Sequence, residues 1–400
     1  MKQFLTGKWL FGLAVLLGFS GCTPTPVPAP AATPTANVEA TARPATRDYW
    51  ACSEGKAVCQ DDPDDWLARI QVPPGFTVSH LVQLPSDVAP TSITYGPNGL
   101  LYVATIPRPF KEDFSGKIYV LTEDSTFKQY ATGFLLPIGL AFRPGTSDLY
   151  VSSRAGRFEG KVSLVQPDSV THDVITGLPC CYTGMEHQPN GLVFGPDGLL
   201  YLAIGARTDH GEKLWDEPAG FVYSREAGIL RIWPDLGYVE PYVHGLRNPY
   251  DLDFDTLDRL WTDDNGPDFG LPDRVILVEK GAHYGFPYYG AASCADCLDP
   301  PPDLIISPAY AELPVHATPA GLTVYKGEQF PSVYLDSVLV ALWNPGPGGK
   351  IVRVHGDHQV DDFVTGLWGP IDIVNTPDGA IVVADYLSGR LFKVSWTGLP

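Results

Sequence analysis

The stretch "PNGLVFGPDGLLYLAIG", Pro189–Gly205, decides the fold. Apolar residues lie on both sides of "GPDG", a reversal built from Gly, Pro and Asp, so the stretch reads as two short strands joined by a tight turn. The phrase recurs. Its other instances are "PTSITYGPNGLLYVAT", "PIGLAFRPGTSDLYVSS", "NPYDLDFDTLDRLWTDD", "PAGLTVYKGEQFPSVYLDSVLVAL" and "PIDIVNTPDGAIVVAD". Each is followed by a third strand of one type, from "GKIYVLT" to "GRLFKVS", and four of these lead on to a further segment such as "HDVITGL". The repeats contain no convincing amphipathic helix, and their β-branched and apolar alternation is that of strands.

Second strands begin near Leu101, Leu149, Leu200, Leu260, Val338 and Ile381. That spacing is close to the roughly 40 to 50 residues of a four-stranded propeller blade, so an all-β, six-bladed β-propeller with four-stranded blades is predicted over residues 73–400. The wide gap between Leu260 and Val338 leaves room for an insertion. The last repeat has no fourth strand of its own, whereas "GFTVSHLVQL", Gly75–Leu84, is an unpaired strand ahead of the first repeat. Closure of the ring by this N-terminal strand would remove two open sheet edges.

Upstream, Lys2 and Lys8 precede the apolar run "WLFGLAVLLGF" and then "SGC", ending at Cys22. The run is too short to span a bilayer. Residues 1–22 resemble a bacterial lipoprotein signal, which implies lipidation of Cys22 and an extracytoplasmic protein held to a membrane through that anchor alone. Residues 23–48 are rich in Thr, Pro and Ala and read as an extended tether. Residues 49–72 form a cysteine-containing extension. A formal net charge of -19 would repel phosphate backbones, so nucleic acid is not an expected partner.

Apart from Cys22, six cysteines remain: Cys52, Cys59, Cys180, Cys181, Cys294 and Cys297. An even number in an exported chain points to disulfides, whose pairing sequence alone leaves open. Cys180 and Cys181 are adjacent. An oxidised vicinal pair that stiffens its loop is the favoured reading, and pairing of each with a distant cysteine is the alternative. "CADCL" lacks the histidine of a c-type haem site.

Three segments carry a family resemblance. "HGLRNPYDLDFDTLDRLWTDDNGPDFGLPDRVILVEKGAHYGFPYYG" is the strongest, followed by "EHQPNGLVFGPDGLLYLAIG" and by "LPVHATPAGLTVYKGEQFP" with "VALWNPGPGGKIVRV". Together they resemble the glucose and sorbosone dehydrogenase-like family of quinoprotein propellers. The resemblance implies pyrroloquinoline quinone (PQQ) and calcium as cofactors, a sugar or related alcohol or aldehyde as substrate, and an external electron acceptor. It further implies His187 as general base, Arg247, Asn248, Asn344 and Lys350 beside the quinone, and the carbonyls of Gly266 and Pro267 as calcium ligands. Asp263, Asp264, Asp268 and Asp273 would add negative charge there. A neutral imidazole suits the base because it can take a hydroxyl proton as hydride leaves the same carbon.

The chain departs from the family pattern in three places. "GLWGPIDIVNTPDG" contains no arginine where the family uses one, and Pro370 stands at that position. "LWNPGPGGK" lacks the arginine after Trp-Asn, leaving Lys350 as the nearest cation. Ala206 occupies the place of an aspartate that orients the base. Arg108, Arg154, Arg157 and Arg207 are the cations on other loops that could substitute. Two other functions fit the same scaffold: a carbohydrate- or ligand-binding propeller without turnover, and a calcium-dependent lactonase.

Overall fold

The structure, a computed structural model, describes residues 67–181, 187–267, 270–290, 292–293, 297–343 and 348–398. The signal, the tether, Cys22, Cys52, Cys59, Cys294 and Asn344 lie outside the described residues.

The elements of the described chain are strands, with a 3₁₀ turn at Ser332–Tyr334. Strand β1 (Phe76–Gln83) comes first. A seven-stranded antiparallel sheet follows, made of β2 (Val88–Tyr95), β3 (Leu101–Pro107), β4 (Gly116–Leu121), β5 (Phe127–Phe142), β6 (Leu149–Gly156), β7 (Glu159–Val165) and β8 (Thr171–Pro179). Next come β9 (Pro189–Phe194), β10 (Leu200–Ile204), β11 (Gly228–Trp233) and β12 (Tyr238–His244). The following sheet is β13 (Leu252–Phe254), β14 (Leu260–Asp264), β15 (Pro272–Leu277) and β16 (Ala311–Val315). After it stand β17 (Pro319–Val324), β18 (Val338–Leu342), β19 (Gly349–Val354) and β20 (Val360–Leu367). The last sheet is β21 (Pro370–Asn375), β22 (Ile381–Asp385) and β23 (Arg390–Trp396), completed by β1.

Two pairings were not apparent from the repeats. The gap before Val338 contains β16, which pairs with β15 across residues 278–310, and those intervening residues are the expected insertion. Strand β5 runs on through Gly133 of "KQYATGF", the segment after the third strand of the first repeat. Its first half, Phe127–Phe134, pairs with β4, and Leu135–Phe142 pairs with β6.

β1 pairs antiparallel with β23 from Phe76↔Trp396 to Gln83↔Arg390. The N-terminal strand of the described chain thus covers the outer edge of its last strand, so that the backbone groups of β23 are satisfied on both sides. Phe76 is the anchor of this pairing. It sits among Phe330, Trp396, Phe363 and Tyr334 with ring centroids 4.7, 4.9, 5.0 and 5.1 Å away. Ahead of it, Gln71 and Thr365 exchange two backbone hydrogen bonds of 3.0 Å.

The first strand of each repeat, β2, β5, β9, β13, β17 and β21, lies against the next, and β21 lies against β2. Polar side chains on these strands tie neighbours together. Asp251 accepts a hydrogen bond from Leu322 N at 2.9 Å, Asp253 from Val324 N at 2.9 Å, and Asp372 from Ile93 N at 2.7 Å. Part of the chain's large acidic excess is therefore internal, spent on backbone donors that the sheets leave unpaired. The second strands are the most buried: every residue of β10, β14, β18 and β22 is buried. Their apolar runs, rather than strict alternation, follow from packing against neighbouring sheets on both faces.

Candidate functional site

The segments entering the first strands converge on a cavity of ≈ 600 Å³. Thr91, Ile138, His187, Asn248, Ala320 and Ile371 each come from a different repeat and all line it.

His187 is 1% exposed. It immediately precedes β9 and has a φ of 51°, a left-handed conformation uncommon outside glycine, held by packing on both sides. A side chain at Gly205 would meet the His187 backbone at 2.6 Å and the Asn248 side chain at 2.5 Å, so only glycine permits this approach. Nδ1 of His187 lies 2.8 Å from the Ala206 carbonyl oxygen. A carbonyl only accepts, so Nδ1 carries the proton of the neutral ring and Nε2 is the basic nitrogen. Burial, aided by the charge of Arg247, pulls the imidazole down to about 3. The ring is neutral under ordinary conditions.

Arg247 and Asn248 come from the segment leading into β13. Arg247 is buried; its Nε donates to Asp209 at 2.7 Å, a second Arg247–Asp209 contact is made through Nη2, and Nη1 reaches the Asn265 carbonyl at 3.4 Å. Asn248 accepts from Asn190 Nδ2 at 3.0 Å, and its amide donates to Asp264 at 2.9 Å. Ala206 N in turn donates to the Arg247 carbonyl at 2.7 Å. The His187 loop and the Arg-Asn loop are thereby one hydrogen-bonded unit.

Gly266 also lines the cavity, and its amide donates to Asp273 at 2.6 Å. The other Asp273 oxygen accepts from Thr318 N at 2.8 Å. Burial pushes the carboxyls of Asp263, Asp264 and Asp273 upward, against the hydrogen bonds they accept. Pro267 is buried beside Gly266 but is not part of the cavity wall. Among the described residues, no group of three or more His, Cys, Asp or Glu side chains could hold a metal.

One expected residue falls elsewhere. Lys350 stands on β19 and pairs with Asp362 of β20 at 2.7 Å, away from the cavity wall. Closeness in sequence to Trp343, which does line the wall, was misleading, because the chain has already turned back into the third strand of its sheet.

The four substitute cations separate clearly. Arg207 is held by Glu226 at 2.9 Å and Glu217 at 2.7 Å, Arg154 by Gln188 at 2.7 Å, and Arg157 lies over Phe158. Arg108 differs from these. It follows β3, donates through Nη1 to the Leu387 carbonyl at 3.0 Å, and lies 5.4 Å from the Tyr386 ring centroid. Its Nε and Nη2 are buried and have no hydrogen-bond partner among the described residues. Its neighbours Pro109, Tyr386 and Leu387 all line the cavity.

Cys180 and Cys181 are joined to each other as a disulfide at the end of β8, both buried. Cys297 is buried and also disulfide-bonded.

A family model described as glucose/sorbosone dehydrogenase matches residues 175–393. An uncharacterized protein of Borreliella burgdorferi is 28% identical over 204 residues, covering 42% of this chain and 52% of that protein. The chain thus spans about half the length of this curated relative. Among solved structures, the PQQ-bound aldose sugar dehydrogenase of Streptomyces coelicolor superimposes with a TM-score of 0.58 at 17% identity, covering 81% of this chain and 99% of the other. The calcium structure of a Trichoderma reesei family AA12 carbohydrate-active enzyme gives 0.60 at 11% identity, with 82% and 97% covered. At such identities the likeness is one of fold, an all-β, propeller-like arrangement of curled sheets.

Proposed function

The chain belongs to the glucose/sorbosone dehydrogenase family, and from that premise we propose that it is a PQQ-dependent dehydrogenase that oxidises a sugar or related alcohol or aldehyde. Counting β5 once for each of its halves, we read the sheets as six four-stranded blades around a channel, with the cavity at the channel mouth.

The observation that carries this reading is His187, a buried neutral imidazole whose tautomer is fixed by a backbone carbonyl and which lines a cavity built from all six repeats. Bound in the cavity, the quinone would supply the hydride acceptor. His187 would take the substrate hydroxyl proton on Nε2, and the Ala206 carbonyl would stabilise the imidazolium through Nδ1–H. Its suppressed basicity suits a site that receives an anion, since negative charge bound beside the ring favours the protonated form.

The residues present fit an anionic cofactor in one specific respect. Arg108 offers two buried nitrogens, Nε and Nη2, with no acceptor among the described residues, next to the Tyr386 and Leu387 wall. A buried donor left unmatched costs about 1–3 kcal/mol, and an anion would remove that cost. Arg108, Arg247 and Asn248 would hold the quinone, with Arg108 supplying charge that the segment entering β21, "GLWGPIDIVNTPDG", lacks. For calcium we propose the carbonyls of Gly266 and Pro267, hard oxygen donors beside an acidic wall.

The sequence also supports lipidation at Cys22, an extracytoplasmic location and an external electron acceptor as parts of the same proposal. A second reading, ligand binding without turnover, is favoured by the position of Lys350 away from the wall. The deciding experiment reconstitutes the purified protein with PQQ and calcium and records its absorbance with and without a panel of aldoses. A quinone spectrum bleached by a sugar, with reduction of an artificial dye, is expected. Saturable sugar binding with neither change would favour the second reading.

A further inference from the structure

The segment between β10 and β11, residues 205–227, makes a second groove of ≈ 570 Å³ against the β7–β8 hairpin, and none of its lining residues lines the channel cavity. Large aromatic rings stand open to water along it. Trp215 is 64% exposed, Phe158 53% and Tyr223 41%. The rings are held in place: Trp215 and Phe158 meet edge to face with centroids 5.2 Å apart. Tyr223 lies under Arg207, 4.3 Å from its ring centroid, and donates its hydroxyl to Glu217 at 2.8 Å. A cluster of exposed, mutually ordered rings marks a binding surface rather than incidental apolar exposure.

The polar rim identifies the ligand class. Glu159 and Glu217 stand on its wall with Arg207 and Arg225, and Arg207 is already engaged by Glu217 and the buried Glu226, so the groove has no surplus positive charge with which to select an anion. It does offer acceptors and donors together, with Ser224 adding both. Flat electron-rich faces for apolar C–H groups, combined with charged groups that can bond hydroxyls on both sides, match the two faces and the rim of a pyranose ring. We propose that this groove binds a neutral pyranose unit of a carbohydrate, at a site separate from the channel cavity. Cys180 lies in the groove wall, so the Cys180–Cys181 disulfide would serve this site as well as the loop it closes.

The proposal does not require the quinone, and its test omits it. The full chain, free of cofactor, is titrated calorimetrically with glucose and with maltotriose and cellotriose. Saturable binding is expected that weakens at least about tenfold, roughly 1.4 kcal/mol, in Trp215→Ala and in Phe158→Ala and is unchanged in His187→Asn. Both aromatic variants alter exposed rings, and thermal melting checks that they stay folded. Binding lost in His187→Asn but kept in both aromatic variants would assign it to the channel and overturn the proposal. Absence of binding to any of the three sugars would overturn it too, as would capture by the groove of a proline-rich peptide covering residues 23–46 in place of sugar.

Discussion

Nδ1 of His187 and the carbonyl oxygen of Ala206 stand 2.8 Å apart, so the main chain does here what an aspartate side chain at this position would otherwise do. Because the orienting group is backbone, side-chain replacement at Ala206 cannot remove it, whereas replacement of the imidazole removes the proposed base outright. His187→Asn is expected to lower sugar oxidation by the reconstituted protein by about 10²- to 10⁴-fold while leaving quinone affinity within a few-fold. Dye-reduction rates and a quinone titration measure the two separately; an unchanged rate would remove His187 from the mechanism.

The same imidazole makes the cofactor-free protein sensitive to acid. Its folded value of about 3 lies below its ordinary 6.5, so the unfolded state binds more protons between these limits. Stability should therefore fall as pH drops through that window and be unaffected by this group above it. Urea unfolding at several pH values should show a shallower acid slope in His187→Gln than in the wild type; equal slopes would contradict the assignment.

Two ion pairs test burial against exposure. Arg247 and Asp209 are both buried, whereas Arg143 and Asp235 meet at 2.6 Å with their side chains 30% and 66% exposed. Asp209→Asn should destabilise by about 3–5 kcal/mol, because it leaves a buried guanidinium uncompensated. Asp235→Asn should cost about 1 kcal/mol or less. Denaturant midpoints of the two variants decide it, and similar losses would be inconsistent with the geometry.

Arg108→Met should weaken quinone binding about tenfold or more, since a charge-assisted hydrogen bond contributes about 1.5–3 kcal/mol. The cofactor-free variant should melt no lower than the wild type, because a buried cation with unmatched donors has been replaced by an apolar chain of similar length. A lower melting temperature with unchanged quinone affinity would make Arg108 purely structural.

Phe76→Ala should destabilise the protein by about 3–5 kcal/mol, the usual effect of emptying an aromatic-sized space in a packed core. The ring is 7% exposed within its cage of four aromatics. Thermal melts check this, and a shift below about 2 °C would argue that β1 contributes little to closure.

The repeats were legible because each one carries its own turn chemistry, and because closely packed sheets need apolar runs at fixed spacing. β16 was missed because five residues, "AELPV", follow a long insertion whose described residues form no named strand, and include a proline. The continuity of β5 was hidden by Gly133, whose φ of 92° reads from sequence as the end of a strand. At the site, His187, Arg247, Asn248 and Gly266 could be placed because their loops are contiguous motifs. Arg108 could be named only as one cation among several, since its partner Leu387 lies 279 residues away in the chain. Asp209 had no signal, because nothing local distinguishes an acid that will pair with Arg247 from one that faces solvent.

Strand β5 has a consequence for how the protein comes apart. Most neighbouring sheets are connected by segments outside the strands, but the β2–β4 and β6–β8 halves share one strand, β5, which pairs with β4 up to Phe134 and with β6 from Leu135 on, across an irregularity between Leu135 and Gly139. Amide protons on both sides of Gly133 should then exchange with one shared opening energy, so these two sheets form a single cooperative foldon. New termini introduced at that junction would divide one unit, whereas termini placed between β8 and β9 would separate two.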